Sequence, residues 1–375
     1  MKMAVLIANR GFFPSSVVEA ARSELTGALK TAGLEPLFID KDATRFGAVE
    51  TTVEGIAFRE FLEAHRGEYD GLIISLPNFG DENGIKAAIR DFDLPILLQA
   101  YPDEFGKMDF EHRRDAFCGK LGLTSVLKQM RVKFTTFLPF VVHPSSPEFQ
   151  SQLRKFAAVC RVVKRMKHLR VGALGARTTA FKSVRYDEIA LEKHGIDVET
   201  LDLSALLARF EAISAESPEA QAWLTKILEV ANLGDMPKGK EILLARLGAA
   251  MDAIIKEMRL DAVAVRCWDE LEKALAIAPC VLLGLFNQMG IPAACELDVT
   301  NAIAMTAISA ASEGPAGCLD WNNNFGDEPD KAILFHCGPL APELMTGKGE
   351  MQQHLMFKKT YGDGSGWGLN VDKIK

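Results

Sequence analysis

The stretch Gly71-Leu72-Ile73-Ile74-Ser75-Leu76 sets the class of fold. It is an apolar run of strand length that lies between two segments with helical periodicity. The same alternation extends on both sides, with strand-like or helical segments at residues 3–8, 16–31, 36–39, 54–65, 83–90 and 95–99. Continuous apolar strands that alternate with helices are typical of a parallel sheet covered on both faces. The pattern predicts a first α/β domain over residues 1–143.

A second unit with the same alternation follows near Ser145-Ser146-Pro147. It opens with a long amphipathic helix over residues 148–167. Further strands are predicted at residues 169–174, 196–201, 261–267 and 291–295. These segments predict a second α/β domain over residues 144–312, again with a doubly wound parallel sheet.

The texture of the sequence changes after Gly314. Strand patterns recur without long helices, and glycine is dense over residues 362–368. We therefore predict a β-rich C-terminal domain over residues 313–375. The strand pattern of this domain continues up to Lys375, so we expect the domain to be incomplete.

The composition is that of a soluble globular protein, with 375 residues, 48% of them hydrophobic, and a net charge of −7. No basic stripe with interleaved aromatic residues is present, which argues against a nucleic-acid partner. No signal peptide and no apolar run of membrane-spanning length are found. The seven cysteines contain no C-x-x-C pair, which favours buried free thiols in a reducing cytoplasm and argues against a thiolate metal site.

Two carboxylates and an imidazole lie at or just past the ends of predicted strands near the C-terminus: Glu296, Asp320 and His336. Side chains delivered to one edge of a sheet can share a divalent cation. Carboxylate and imidazole together suit Mn²⁺, Mg²⁺, Co²⁺ or Zn²⁺, and the hard oxygens favour Mn²⁺ or Mg²⁺.

Carboxylates at strand ends also cap helices, and this alternative applies here. Asp298 precedes a helical pattern over residues 299–311, where Asp is a favoured N-cap, and we predict that it is a cap alone. Capping and metal binding both remain open for Glu296 and Asp320 on the spacing alone.

Polar and aromatic residues at other strand ends are candidates for substrate contacts, since parallel sheets present ligands there. They are Arg10, Asn78, Phe79, Arg177, Arg266 and Trp268. Two guanidinium groups at equivalent strand ends suit a substrate with a phosphate, sulfonate or carboxylate. The alternative is that Arg177 and Arg266 pair within the chain, with Asp187 or Glu270.

Several short motifs together resemble the L-fucose/L-arabinose isomerase superfamily. They are Ala294-Cys295-Glu296-Leu297-Asp298-Val299, Cys318-Leu319-Asp320-Trp321, Leu334-Phe335-His336-Cys337-Gly338, and the segments 71–80 and 261–270. The spacing of the two carboxylates is similar to that of L-fucose isomerase. The placement of His336 is closer to the arabinose enzymes.

The resemblance implies two α/β domains, a C-terminal β-domain and a homo-oligomer, a hexamer or a trimer. It implies Mn²⁺, with Mg²⁺ or Co²⁺ as alternatives. It also implies that Glu296 and Asp320 are both metal ligands and catalytic acid–base groups, with His336 as a further ligand. Another metal-ligand histidine should follow in the C-terminal domain, and the setting of His354 does not match it.

The function that the resemblance implies is metal-dependent aldose–ketose isomerisation of a five- or six-carbon sugar through an enediol intermediate. Two carboxylates can exchange acid and base roles, and a cation can stabilise the enediolate. Two alternatives remain: a non-catalytic sugar-binding or sensor protein of the same fold, and a metal-dependent hydrolase.

Overall fold

The computed structural model describes residues 1–336, 339–353, 358 and 367–370. The chain forms two compact units, Met1–Lys164 and Arg165–Lys375. Each contains a four-stranded parallel sheet between helices, and antiparallel strands follow in the second unit. The predicted fold class is confirmed. His354, the predicted motif positions Cys337 and Gly338, and most of the Gly-rich segment lie outside the described residues.

The first unit is built on a sheet of strand order β2-β1-β3-β4. Its strands are β1 (Lys2–Ile7), β2 (Glu35–Phe38), β3 (Gly71–Leu76) and β4 (Ile96–Ala100). Its helices are α1 (Ser16–Thr31), α2 (Thr52–Ala64), α3 (Glu82–Ala88), α4 (Ala116–Gln129) and α5 (Pro147–Met166).

Both faces of the first sheet are buried, because successive strand residues point to opposite sides. Met3 and Val5 of β1 pack with apolar residues of α1 and α5. Ala4 and Leu6 pack on the opposite side with residues of α2, α3 and α4. This two-sided burial is why the strands of this unit read as continuous apolar runs rather than alternating ones.

Helix α5 belongs to the first unit, although the sequence assigns it to the second. Its buried face contributes Phe149, Leu153 and Phe156 to the cluster beneath β1 and β3. Each side chain of this size stabilises the fold by roughly 1.5–3 kcal/mol when fully buried. The predicted domain boundary at residue 144 is therefore wrong, and the division falls at residue 164.

The second unit is built on a sheet of strand order β6-β5-β8-β9. Its strands, with the short β7, are β5 (Leu169–Leu174), β6 (Ile196–Leu201), β7 (Ala231–Asn232), β8 (Ala262–Val265) and β9 (Ala293–Ala294). Its helices are α6 (Glu188–Glu192), α7 (Leu203–Ala212), α8 (Pro218–Val230), α9 (Lys240–Met258), α10 (Glu272–Leu275), α11 (Cys280–Gln288) and α12 (Val299–Ser312). Val263 and Val265 face a core with α8, α9 and α11, whereas Ala262 and Ala264 face α12.

The β-rich region of the second unit has two parts. An antiparallel ribbon pairs β10 (Asp320–Phe325) with β11 (Glu328–Phe335), and every residue of both strands is exposed. A separate small sheet joins β7 to β12 (Gly349–Gln353) and β13 (Trp367–Asn370). No helix in the described part of the chain is long and apolar enough to cross a membrane.

Lys120 of α4 is an unusual buried charge in the first unit, with 1% of its surface exposed. Its Nζ donates to the Phe140 carbonyl at 2.6 Å and lies 4.4 Å from the centre of the Phe140 ring. Burial lowers the pKa of Lys120 to about 8 from an ordinary value of 10.5. The folded state therefore gives up this proton at a lower pH than the unfolded state.

We predict that Lys120 makes the free energy of unfolding rise with pH between about 8 and 10.5. In that window the unfolded state binds more protons, so a higher pH favours the folded state, by roughly 3 kcal/mol in total. The measurement is the difference in urea-unfolding free energy between wild type and Lys120→Met as a function of pH. Lys128→Met, an exposed lysine of the same helix, is the control. A difference that does not change with pH would contradict the prediction.

Candidate functional site

Three loops meet at the carboxyl edge of the second sheet, because β5, β8 and β9 run parallel. They are residues 175–178 after β5, 266–269 after β8 and 295–298 after β9. This edge is where open parallel sheets bind their ligands. The predicted site residues Arg177, Arg266, Trp268 and Glu296 all lie on these loops.

The loop after β9 is a tight turn in a rare backbone conformation. Glu296 and the next residue, Leu297, both have φ of 59°, in the left-handed region that non-glycine residues seldom adopt. The Leu297 amide donates to the Val265 carbonyl at 3.1 Å, and the Glu296 amide donates to Cys267 Sγ at 3.3 Å. Strained residues of this kind persist when their surroundings hold them, and they concentrate at functional sites.

The imidazole of His336 reaches this turn from the end of β11. Its Nδ1 lies 3.0 Å from the Cys318 carbonyl, and its Nε2 lies 3.1 Å from Cys295 Sγ. A carbonyl oxygen can only accept, so Nδ1 carries the proton. In the neutral ring, Nε2 then presents its lone pair towards Cys295, which is the tautomer that a metal ligand needs.

Cys295, Glu296 and His336 form a compact group of potential ligands. One ligand atom from each lies within 4.8 Å of those of the others. Cys295 is buried, and the other two residues are half-buried. Within the described residues, another such group is Asp109, Glu111 and His112 of the first unit, but all three are exposed to water.

Asp320 stands apart from this group. It is the first residue of β10 rather than the residue after a strand, so the predicted placement at a strand end is wrong. Its backbone pairs with Phe335, next to His336, and its side chain is exposed. Burial and the charges of Asp298, Asp320 and Glu296 raise the pKa of the Cys318 thiol to about 12, so Asp320 contributes to the local field.

The donor set fits a divalent cation, but it differs from the set that the sequence predicts. The sequence predicts two carboxylates and an imidazole, whereas the structure assembles one carboxylate, one imidazole and the thiol of Cys295. A hydrogen bond with Cys267 raises the pKa of the Cys295 thiol, and burial of the thiol is the second cause. Binding of Mn²⁺ stays a prediction, as does the role of Asp320 as a ligand.

The two predicted arginines of the second unit have different roles. Arg266 is 8% exposed, and its Nη1 donates to the carbonyls of Ala176 and Arg177 at 2.8 and 2.9 Å. Its Nη2 lies 3.8 Å from the carboxylates of Asp269 and Glu270. The pairing of Arg266 with Glu270 within the chain, one of the two interpretations of the sequence, is therefore confirmed.

Arg177 is bound only to its own loop. Its Nη1 lies within 3.3 Å of the carbonyls of Thr178, Thr179 and Phe181. No ion pair of Arg177 is found within the described part of the chain, and Asp187 caps α6 instead. The role of Arg177 as a substrate contact stays a prediction.

Trp268 closes the same loop region from the β8 side. Its carbonyl accepts a hydrogen bond from the Thr178 hydroxyl at 2.7 Å. Its ring packs against Phe181, with the ring centres 5.0 Å apart. Gly175, with a φ of 106°, lets the loop after β5 approach Arg266 of the loop after β8, because a Cβ at residue 175 would lie 2.5 Å from Arg266 Cβ. The loops after β5 and β8 are therefore one connected structure.

The predicted contacts of the first unit lie together at the carboxyl edge of its own sheet. Asn78 is fully buried, and its Nδ2 donates to Asn9 Oδ1 at 2.7 Å. Its Oδ1 accepts from the Arg10 amide at 3.2 Å. The Arg10 guanidinium lies 4.2 Å from the centre of the Phe79 ring. Their roles as substrate contacts stay predictions.

Sequence reasoning missed Cys295 and Cys267. Cys267 holds the Glu296 amide, and Cys295 places its sulfur beside His336. Their sequence pattern indicates only buried thiols without a role, because neither belongs to a paired motif. The available signal was that each cysteine ends a predicted strand next to a candidate site residue.

Comparison with known proteins finds similarity to one family of sugar isomerases. Residues 4–167 match the model of the fucose/sulfoquinovose isomerase N-terminal domain. The chain is 25% identical over 289 residues to sulfoquinovose isomerase of Alkalicoccus urumqiensis, covering 76% of this chain and 63% of that protein. These matches support a fucose isomerase-like superfamily member. The resemblance inferred from the motifs is confirmed.

Two further similar proteins have the same name as the first. Sulfoquinovose isomerase of Priestia aryabhattai is 24% identical over 304 residues, covering 79% of this chain and 65% of that protein. That of Clostridium sp. (strain MSTE9) is 27% identical over 206 residues, covering 53% of this chain and 45% of that protein. The chain spans just under two thirds of the length of the first two relatives.

Among solved structures, a periplasmic solute-binding protein from Actinobacillus succinogenes 130z aligns over 84% of this chain and 93% of its own. The TM-score is 0.21 and the sequence identity is 10%, so this alignment carries no argument about function.

Asp298 is the N-cap of α12, as the sequence predicts. Its Oδ1 accepts from the Asn301 amide at 2.9 Å. We predict that Asp298→Ala lowers the free energy of unfolding by about 1 kcal/mol, and that Asp298→Asn changes it by a few tenths, because Asn is an equally good cap. Urea unfolding of both variants checks this. Equal losses for the two variants would mean that the charge of Asp298 matters rather than its capping bond.

Proposed function

We propose that this chain carries the isomerase chemistry of its superfamily and interconverts an acidic aldose and its ketose through an enediol. The observation that carries the proposal is the placement of the Glu296 carboxylate beside the imidazole of His336 on a strained turn at the carboxyl edge of the second sheet. The names of the relatives, all sulfoquinovose isomerases, support it.

Two proton transfers are needed, and two carboxylates are suited to them. The Glu296 carboxylate removes the proton from carbon 2 of the aldose and returns a proton to carbon 1. The second proton moves between the oxygens on these carbons, and Asp320, near the base of the ribbon, is proposed as the acid–base group that moves it. His336 Nε2 is kept for a cation, because its Nδ1 is held by the Cys318 carbonyl.

A divalent cation held by Glu296 and His336 would supply stabilisation of the negative charge on the enediolate oxygens. We keep metal dependence as part of the proposal. Removal of metal by a chelator should abolish turnover, and addition of a divalent cation should restore it. Assembly into a hexamer or a trimer stays a prediction.

The experiment follows ketose formation by the 375-residue chain in deuterium oxide by NMR, with sulfoquinovose and with a neutral hexose. An enediol route places solvent deuterium at carbon 1 of the ketose, since the transferred proton exchanges with solvent in the intermediate. A sugar-binding or sensor protein would bind the sugar without exchange, and a metal hydrolase would release a cleaved product. Absence of both ketose and exchange with every sugar and metal would overturn the proposal.

We predict that Glu296→Gln lowers kcat by about 10²–10⁴-fold, because the amide cannot accept the carbon-bound proton. Asp320→Asn should cause a loss of similar size if Asp320 is the second acid–base group. Initial rates of ketose formation give the values. The control is Glu219→Gln, an exposed carboxylate in the first turn of α8, which should keep wild-type activity. An active Asp320→Asn variant would remove Asp320 from the mechanism and leave Glu296 in place.

Arg177 is proposed to bind the acidic substituent of the sugar. Sulfoquinovose is a glucose derivative with a sulfonate group, and a guanidinium binds such an anion with two parallel hydrogen bonds. Arg266 is already occupied by two carbonyls and two carboxylates, whereas no ion pair of Arg177 is found in the described residues.

We predict that Arg177→Met weakens selection for the sulfonated over the neutral sugar by about 1.5–3 kcal/mol, the range for a hydrogen bond to a charged group. The measurement is kcat/KM on both sugars for wild type and variant. Arg209→Met, which removes an exposed arginine paired with Glu257, is the control. Equal losses on both sugars would show that Arg177 supports the loop rather than recognising the anion.

A further inference from the structure

The group beside the strained turn contains a sulfur atom that the predicted manganese site does not use. Cys295 Sγ lies 3.1 Å from His336 Nε2, and a Glu296 carboxylate oxygen lies within 4.8 Å of both residues' ligand atoms. In a tetrahedral zinc site, bonds of about 2.0–2.3 Å place ligand atoms ~3.3–3.8 Å apart. The three ligand atoms would therefore have to move by a few tenths of an ångström to about one ångström to bind an ion between them.

We propose that Cys295, Glu296 and His336 form a three-ligand site for a thiophilic divalent cation, Zn²⁺ in preference to Mn²⁺. A thiolate and an imidazole are ligands that Zn²⁺ prefers, whereas Mn²⁺ prefers an all-oxygen or oxygen-rich set. Three protein ligands with a fourth position left for water or a sugar oxygen is the pattern of catalytic zinc sites. The proposal deepens the proposed function, on which its catalytic meaning rests.

The surroundings of the three ligands hold them in place before an ion binds. The Cys318 carbonyl holds Nδ1 of His336, which orients Nε2 towards the sulfur. Cys267 Sγ accepts a hydrogen bond from the Glu296 amide, and this bond fixes the turn. Outer contacts of this kind fix the tautomer and orientation of metal ligands in proteins. On coordination the thiol proton of Cys295 passes to solvent as the sulfur–metal bond forms.

Asp320 provides the contrast within the same region. Its carboxylate would be the second hard ligand of a manganese site, but it is exposed and lies outside the compact group. A thiophilic site therefore depends on Cys295 and not on Asp320, whereas a manganese site of the predicted kind depends on Asp320 and not on Cys295. The two alternatives make opposite predictions for two single variants.

The experiment loads the metal-free chain with Co²⁺, which reports on thiolate ligation by a sulfur-to-cobalt charge-transfer band in the near ultraviolet. We expect the band in wild type, in Asp320→Asn and in Cys118→Ser, which removes an exposed thiol of the first unit. We expect no band in Cys295→Ser. Zn²⁺ should displace Co²⁺ at lower concentration than Mn²⁺ does. Cys295→Ser should lose more than ~100-fold in Zn²⁺ affinity, beyond the loss caused by removing an outer contact.

X-ray absorption at the zinc edge of the wild-type protein needs no variant, so a Cys295→Ser protein that fails to fold leaves the proposal testable. A sulfur scatterer at about 2.3 Å is expected. A shell of oxygen and nitrogen alone would overturn the proposal. Loss of bound metal in Asp320→Asn with retention in Cys295→Ser would also overturn it, in favour of the predicted manganese site.

Metal binding and catalysis are read out separately. If the cobalt band and the sulfur scatterer are found but no sugar is isomerised, the metal site stands and the proposed function fails. If ketose forms with solvent deuterium and no thiolate ligation is found, the proposed function stands and the thiophilic site is rejected.

Discussion

The candidate site depends on one backbone constraint, the hydrogen bond from the Leu297 amide to the Val265 carbonyl. It attaches the turn after β9 to the last residue of β8 and keeps two consecutive non-glycine residues in the left-handed region. Such conformations cost on the order of 1–3 kcal/mol each, so neighbouring contacts must offset them. The Cys267 thiol and the cap at Asp298 supply these contacts on either side of the turn.

The third member of the group comes from a distant part of the sequence. His336 follows the exposed ribbon, and its ring is held by the Cys318 carbonyl at Nδ1 and lies against Cys295 Sγ at Nε2. The sheet edge therefore contributes a rigid half of the site, and the chain after α12 contributes the other half. In the described residues the two halves meet at the contact between Cys295 and His336.

Much of the fold could be predicted because burial on both sheet faces leaves continuous apolar runs. The bounds predicted for α1, β3, β5 and β6 are those of the structure. An amphipathic pattern shows that a helix buries one face but not which sheet it covers, so the sequence places α5 in the wrong domain. Its apolar face covers the first sheet, and the family match ends at residue 167, one residue past the end of α5.

The chemistry of the site was harder to predict than the fold. Successive side chains of a strand point to opposite faces of the sheet. A strand that continued through residue 295 would therefore direct the side chains of Cys295 and Glu296 to opposite sides. The structure ends β9 at Ala294, and the left-handed turn brings both side chains to one place. Asp320 was placed past a strand because the apolar residues before it resemble one. The cap at Asp298 was predictable, because capping depends only on neighbouring residues.

The exposed ribbon has a consequence for how the protein behaves in concentrated solution. Trp321 is 86% exposed, and Ile333-Leu334-Phe335 is an exposed apolar run at the end of β11. Charges lie near the opposite end, where Lys331 pairs with Glu328. Apolar strands with unpaired edges form backbone hydrogen bonds with strands of other molecules, and flanking charges oppose this pairing. Association between molecules should therefore begin at the base of the ribbon, beside His336. Aggregation would then disrupt the group of potential ligands at the same time.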